Sequence, residues 1–109
     1  GILSNGTPAM LDAALQSSRL DGLFDDVISV DAAGCYKTAR AAYQLGTDRA
    51  GLPAEDILFV SSNGWDICGA TWFGYRTFWV NRSKQPPERL GVSPNSSGED
   101  LNDLTALFA

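Results

Sequence analysis

Ile57-Leu58-Phe59-Val60-Ser61-Ser62-Asn63-Gly64-Trp65-Asp66 is the stretch from which the rest of the chain is read. Its first four residues are apolar and suit a buried β-strand. They run directly into a short polar turn. Ser61, Ser62 and Asn63 occupy that turn, and Asp66 stands where a helix is expected to begin. In an open α/β sheet this kind of junction is where chemistry sits. Ligands bind outside the carboxyl ends of the strands, beside helix N-termini. A second junction of the same kind, Ile2-Leu3-Ser4-Asn5-Gly6-Thr7-Pro8, stands at the beginning of the sequence.

Working outward, strand and helix signals alternate. Ile2-Leu3 reads as the end of a buried strand. Thr7 offers an N-cap oxygen and Pro8 suits the first helical position. Met10, Leu11, Ala14 and Leu15 then give apolar pairs four residues apart, to about Ser17. Asp21-Gly22 breaks that helix. Val27-Ile28-Ser29-Val30 is a second, β-branched strand. The stretch from Ala39 to about Leu45 is expected to be helical. Gly46 interrupts or caps it, a frayed turn runs to Ala50, and Gly51 and Pro53 end it. Ile57–Val60 is the third strand, Asp66–Phe73 a short helix stopped by Gly74, and Thr77–Val80 the fourth strand. Residues 83–98 contain three prolines, two glycines and four serines and read as a loop. Leu101, Leu104 and Phe108 mark a last helix, with Glu99 and Asp100 near its start. The alternation implies an α/β fold with a parallel sheet and flanking helices.

Composition narrows the function classes. The chain has 109 residues, enough for one small domain, with 44% hydrophobic and 19% charged residues. A net charge of -5 without a basic cluster argues against nucleic acid and against an anionic membrane surface. No apolar run approaches the roughly 20 residues of a membrane helix. No secretory leader is visible, so a cytoplasmic protein is expected. The sequence opens inside a strand, which predicts a piece of a longer polypeptide. Cys35 and Cys68 stand 33 residues apart, form no CxxC pair, and suit packing roles. Histidine is absent, so these residues hold no Ser-His or Cys-His nucleophile pair. Any chemistry here runs on carboxylate, lysine, hydroxyl and amide groups.

Four clusters fall near strand ends. Ser4-Asn5-Gly6 pairs a hydroxyl and an amide with free helix N–H groups and suits an anion. Lys37, next to Tyr36, can hold a carboxylate as an ion pair, and Tyr43 can approach the same region from its helix. Ser61, Asn63 and Asp66 form the third cluster. Trp65, Trp72, Phe73, Tyr75, Phe78 and Trp79 form an aromatic fourth, with Trp65 the best placed to line a pocket. Alone, each has a plainer role: a capping turn, a surface lysine, a core tyrosine, core aromatics. Their order along the chain is what carries the functional reading.

That order resembles the L-2-haloacid dehalogenases of the haloacid dehalogenase superfamily. The resemblance rests on Leu3-Ser4-Asn5-Gly6, on Ser29-Val30-Asp31 followed by Tyr36-Lys37 and Tyr43, and on Leu58 to Asp66. Phe73-Gly74 and Trp79-Val80-Asn81-Arg82 continue it. It implies the C-terminal part (residues 1–109) of a Rossmann-like, haloacid dehalogenase-like core. The first strand and the cap domain would lie upstream, and the isolated segment is expected to fold poorly, to close up differently or to need the missing half. The superfamily's phosphatases usually carry an aspartate where Ser61 stands and use it for magnesium. Loss of that carboxylate leaves too few hard oxygen ligands, so no metal and no cofactor are expected.

The implied activity is hydrolysis of short (S)-2-haloalkanoates to (R)-2-hydroxyalkanoates through an aspartyl ester, with the aspartate upstream of this chain. The resemblance casts Lys37, Ser61, Asn63 and Asp66 as catalytic residues. Lys37 would keep the nucleophile ionised and Ser61 would support it. Asn63 and Asp66 would position Lys37 or the hydrolytic water. Ser4, Asn5, Tyr43 and Trp65 would bind substrate. The implied partner is a small 2-haloalkanoic acid, with a homodimer expected for the full-length protein. One departure is local: the family usually has proline after the motif lysine, and Thr38 stands here. Two other readings stay open, a superfamily phosphatase fragment and a non-catalytic α/β module.

Overall fold

The computed structural model describes residues 1–108, in two units: Gly1–Gly51, and a second beginning at Leu52. Each carries its own parallel sheet with helices beside it.

The first unit is a βαβ arrangement. Strand β1 (Ile2–Ser4) leads through the Ser4-Asn5-Gly6 turn into α1 (Pro8–Ser17) and on to β2 (Val27–Ser29). Thr7 caps α1 as its sequence suggests: its hydroxyl oxygen accepts the Met10 N–H at 3.2 Å, and Pro8 needs no partner for a missing N–H. No residue of α1 is fully buried; Leu11 and Leu15 are half-buried. The two strands pair in parallel, Leu3 with Ile28 and Ser4 with Ser29. Strand β2 stops one residue earlier than expected. Val30 is completely buried, but it opens a 3₁₀ turn over Val30–Ala33. Ser29 explains the switch, because its hydroxyl accepts the Asp31 N–H at 3.2 Å and starts the turn.

Helix α2 (Arg40–Ala50) closes the first unit. It runs unbroken through Gly46, where an interruption was expected. Local bonds reinforce this part: Gln44 Nε2 donates to Thr47 Oγ1 and to Asp48 Oδ1, both at 2.9 Å. The helix ends at Gly51, whose φ of +67° is the left-handed conformation that glycine adopts without strain. Ala42 and Tyr43 are its buried residues, and Arg49 forms an ion pair with Asp26 at the surface.

The second unit holds β3 (Leu58–Ser61), α3 (Gly64–Phe73), β4 (Arg76–Val80), β5 (Ser96–Gly98) and α4 (Leu101–Thr105). Its sheet is parallel in the order β3-β4-β5. Strand β4 lies in the middle and is buried from Thr77 to Val80. Strand β3 is an edge, and Val60 on it is 38% exposed. Helix α3 starts two residues before Asp66. The Asn63 carbonyl already accepts the Asp66 and Ile67 N–H groups, at 3.1 and 3.0 Å, so the turn is helical from Gly64.

The main correction lies in residues 83–98. The segment reads as loop, yet its last three residues form β5, paired Phe78–Ser96, Trp79–Ser97 and Val80–Gly98. Serine and glycine have little strand preference of their own. The pairing is secured from outside by Asn95. Its Oδ1 accepts the Thr77 N–H at 2.7 Å, and its own N–H donates to Thr77 Oγ1 at 3.1 Å. A second correction concerns the aromatic cluster. Phe78, Trp79 and Tyr75 are buried, and Phe59 and Phe73 lie against Tyr75, but Trp72 is 67% exposed.

Candidate active site

Ser4 and Asn5 sit where β1 ends. Ser4 is the last ladder residue, and its hydroxyl accepts the Gly6 N–H at 3.0 Å. This is a local turn bond of the kind serine favours. Asn5 reaches further. Its Oδ1 accepts the backbone N–H of Lys37 at 2.9 Å, so two candidates 32 residues apart are joined directly. Only the oxygen of the amide is used in that bond. The half-buried Lys37 follows the 3₁₀ turn and a left-handed Gly34, and the Lys37–Thr38 peptide is cis. Tyr43 lies in α2 with 1% of its surface exposed, in the core of the first unit.

The second unit presents the other cluster. Ser61 is the last residue of β3 and belongs to the ladder rather than to the turn, paired with Trp79. Its hydroxyl accepts the Asn63 N–H at 3.1 Å, which folds Ser61 and Asn63 into one tight turn. Asn63 is the residue before α3, and its side chain makes no capping bond. Trp65 is 40% exposed, in keeping with a wall rather than a core position. Asp66 is 4% exposed in the first turn of α3, where the helix dipole favours a negative charge. A buried carboxylate of this kind is a structural commitment as well as a candidate for chemistry.

The structure thus unites Asn5 with Lys37 in the first unit and Ser61 with Asn63 in the second. Two further residues touch these turns. Ser29 Oγ donates to the Gly6 carbonyl at 2.6 Å, and Trp79 Nε1 donates to the Ser62 carbonyl at 3.2 Å. Sequence reasoning missed both roles. The only available signal was their position at the ends of neighbouring strands.

Both cysteines lie apart from these turns in role. Cys68 is buried in α3, and burial, followed by the negative charge of Glu88, pushes its thiol above the ordinary range. A thiol so raised is a poor nucleophile.

Comparison with known proteins follows the same pattern. Residues 1–74 match the family described as haloacid dehalogenase-like hydrolase. "Haloacetate dehalogenase H-2" of Moraxella sp. (strain B) is 40% identical over 99% of this chain and 48% of its own length. "(S)-2-haloacid dehalogenase 4A" of Burkholderia cepacia is 46% identical over 99% of this chain and 47% of its own. A crystal structure of an L-2-haloacid dehalogenase superposes with a TM-score of 0.96 at 58% identity, covering 98% of this chain and 47% of the other. The chain therefore spans about half the length of the relatives it matches. With the parallel α/β architecture and the match over residues 1–74, the chain belongs to the haloacid dehalogenase-like hydrolases.

Proposed function

We propose that this chain is the C-terminal part of the catalytic core of an (S)-2-haloacid dehalogenase. The attacking aspartate is contributed by sequence outside residues 1–109. Its carboxylate displaces halide from C2 of a short (S)-2-haloalkanoate with inversion, giving an ester. Water adds to the ester carbonyl, and the bond from that carbonyl carbon to the substrate oxygen breaks. The freed hydroxyl keeps one proton from the water, and the aspartate carboxylate is regenerated with the water oxygen in it as the second proton is released. The product is an (R)-2-hydroxyalkanoate.

In this reading the ammonium of Lys37 keeps the aspartate ionised, since a nearby cation favours the charged form. Ser61, in the second unit, takes a supporting role by hydrogen bonding. Asn63 and Asp66 position the hydrolytic water. Ser4 and the amide nitrogen of Asn5 hold the substrate carboxylate. No metal takes part, because Ser61 offers a hydroxyl where a carboxylate would serve magnesium.

The observation that carries this reading is the Asn5–Lys37 bond. It fixes a lysine backbone to the turn at the end of β1, as a preorganised ion-pair site needs. The relatives named above as haloacid dehalogenases support it. The test is halide release from (S)-2-chloropropionate by the intact protein that carries this chain. Turnover is expected with the (S) enantiomer, unaffected by EDTA, and lost by at least about a hundredfold in Lys37→Met and Asp66→Asn. Magnesium-dependent hydrolysis of p-nitrophenyl phosphate, with no halide release, would replace this reading by a phosphatase.

A further inference from the structure

In each unit the strand that bears a site turn is paired with a neighbour, and the neighbour's last residues hold that turn. In the first unit β1 ends at Ser4, whose ladder partner is Ser29. Beyond Ser4 the ladder no longer supplies partners, and the Gly6 carbonyl is taken by the Ser29 hydroxyl at 2.6 Å. In the second unit β3 ends at Ser61, whose ladder partner is Trp79. The Ser62 carbonyl, one residue past the ladder, is taken by the Trp79 indole N–H at 3.2 Å.

The two side chains differ in chemistry but act alike. Each is nearly out of reach of water, with Ser29 9% and Trp79 7% exposed. Each donates to a carbonyl that lies past the last backbone rung of its ladder. Ser29 is itself held in direction, because its oxygen accepts the Asp31 N–H. The Trp79 ring lies against the start of α3: a Cβ placed on Gly64 would stand 3.5 Å from its Cζ2. The indole therefore holds the middle of the Ser61-Ser62-Asn63 turn and lies close to the residue that follows it.

We infer that Ser29 and Trp79 are positioning residues for the proposed dehalogenation, clamping the two turns that carry Ser4, Asn5, Ser61 and Asn63. Neither touches substrate in this assignment. Each acts by fixing backbone, and so the direction in which the turn residues point. An error of about 1 Å in such a group can cost up to about a hundredfold in rate. The inference rests on the dehalogenase reading.

The test uses Ser29→Ala and Trp79→Phe in the intact protein, with Phe78→Leu as the packing control. Phe78 lies beside Trp79 in β4, is 1% exposed, and has no part in the turn. The clamps predict that Ser29→Ala and Trp79→Phe each lower kcat about tenfold with little change in KM. Phe78→Leu should lower Tm at least as much while leaving kcat within twofold. Equal kcat in wild type and both clamp variants would overturn the inference. So would a kcat loss in Phe78→Leu that tracks Tm as closely. If Ser29→Ala does not fold, Ser29→Cys keeps the volume, weakens the donor and is read the same way. Wild-type protein that releases no halide would instead remove the dehalogenase reading. In that event slow exchange of the Trp79 indole proton, followed by ¹⁵N NMR, still tests the clamp, and fast exchange would refute it.

Discussion

The side-chain oxygen of Asn5 accepts the backbone N–H of Lys37 at 2.9 Å. One residue sits in the turn after β1, the other beyond the 3₁₀ turn that follows β2. The bond converts two distant positions into one local unit. It also places the lysine by its main chain.

Removing that acceptor should loosen Lys37 without deleting it. Asn5→Ala is expected to lower stability by about 1–2 kcal/mol, the usual cost of stranding a partly buried donor. Turnover of (S)-2-chloropropionate should fall at least about tenfold. Urea unfolding and initial rates on the same preparation check the two effects. Wild-type rates in Asn5→Ala would show that the anchor does not matter to the reaction.

Thr77 and Asn95 make a second long-range clasp. Thr77 is fully buried, and its N–H and hydroxyl both meet Asn95 Oδ1, at 2.7 and 3.2 Å. Asn95→Ala strands a buried main-chain donor and frees β5. A loss of about 2–3 kcal/mol is expected, read as a lower urea midpoint. Amide exchange should quicken first at Ser96–Gly98.

Gly98 resists substitution through close packing. A Cβ there would lie 2.5 Å from Asp103 Cβ and 2.9 Å from Phe78 Cζ. Neither neighbour can withdraw easily, since Phe78 is core and Asp103 stands in the first turn of α4. Gly98→Ala should cost about 1–3 kcal/mol by overpacking. By contrast nothing lies within 4 Å of the corresponding position on Gly22, although its φ of +79° adds backbone strain there. Gly22→Ala should therefore cost only about 1 kcal/mol. Thermal melts of the two variants give the comparison.

Cys68 supplies a pH-dependent term. Its thiol is raised by burial and then by Glu88, so the folded state holds this proton more tightly than the unfolded chain. The contribution is constant below the unfolded thiol's range and is lost as pH rises through that range towards the folded value. Relative to Cys68→Ala, the wild type should therefore lose stability as pH rises above the ordinary thiol range of about 8.5. Iodoacetamide at mild alkaline pH should label the half-buried Cys35 well before Cys68.

How much of this was legible in the residues follows from the range of the forces involved. The alternation of apolar strands with helical spacing, the Thr7-Pro8 start and the Gly51 and Gly74 stops are local, and each was readable from dihedral preference and side-chain period. The strand-end placement of Ser4, Asn5, Ser61 and Asn63 followed from the same signals. The tertiary structure alone decided which side chains complete the turns. Ser29 reaching Gly6, Asn5 reaching Lys37 and Trp79 reaching Ser62 each depend on the register between segments far apart in sequence. It also made a strand of Ser96-Ser97-Gly98, whose own propensity is poor, because Asn95 and the bare face of Gly98 let it lie against β4. Local preference is written residue by residue, whereas an orphan carbonyl finds its donor only once the strands are paired.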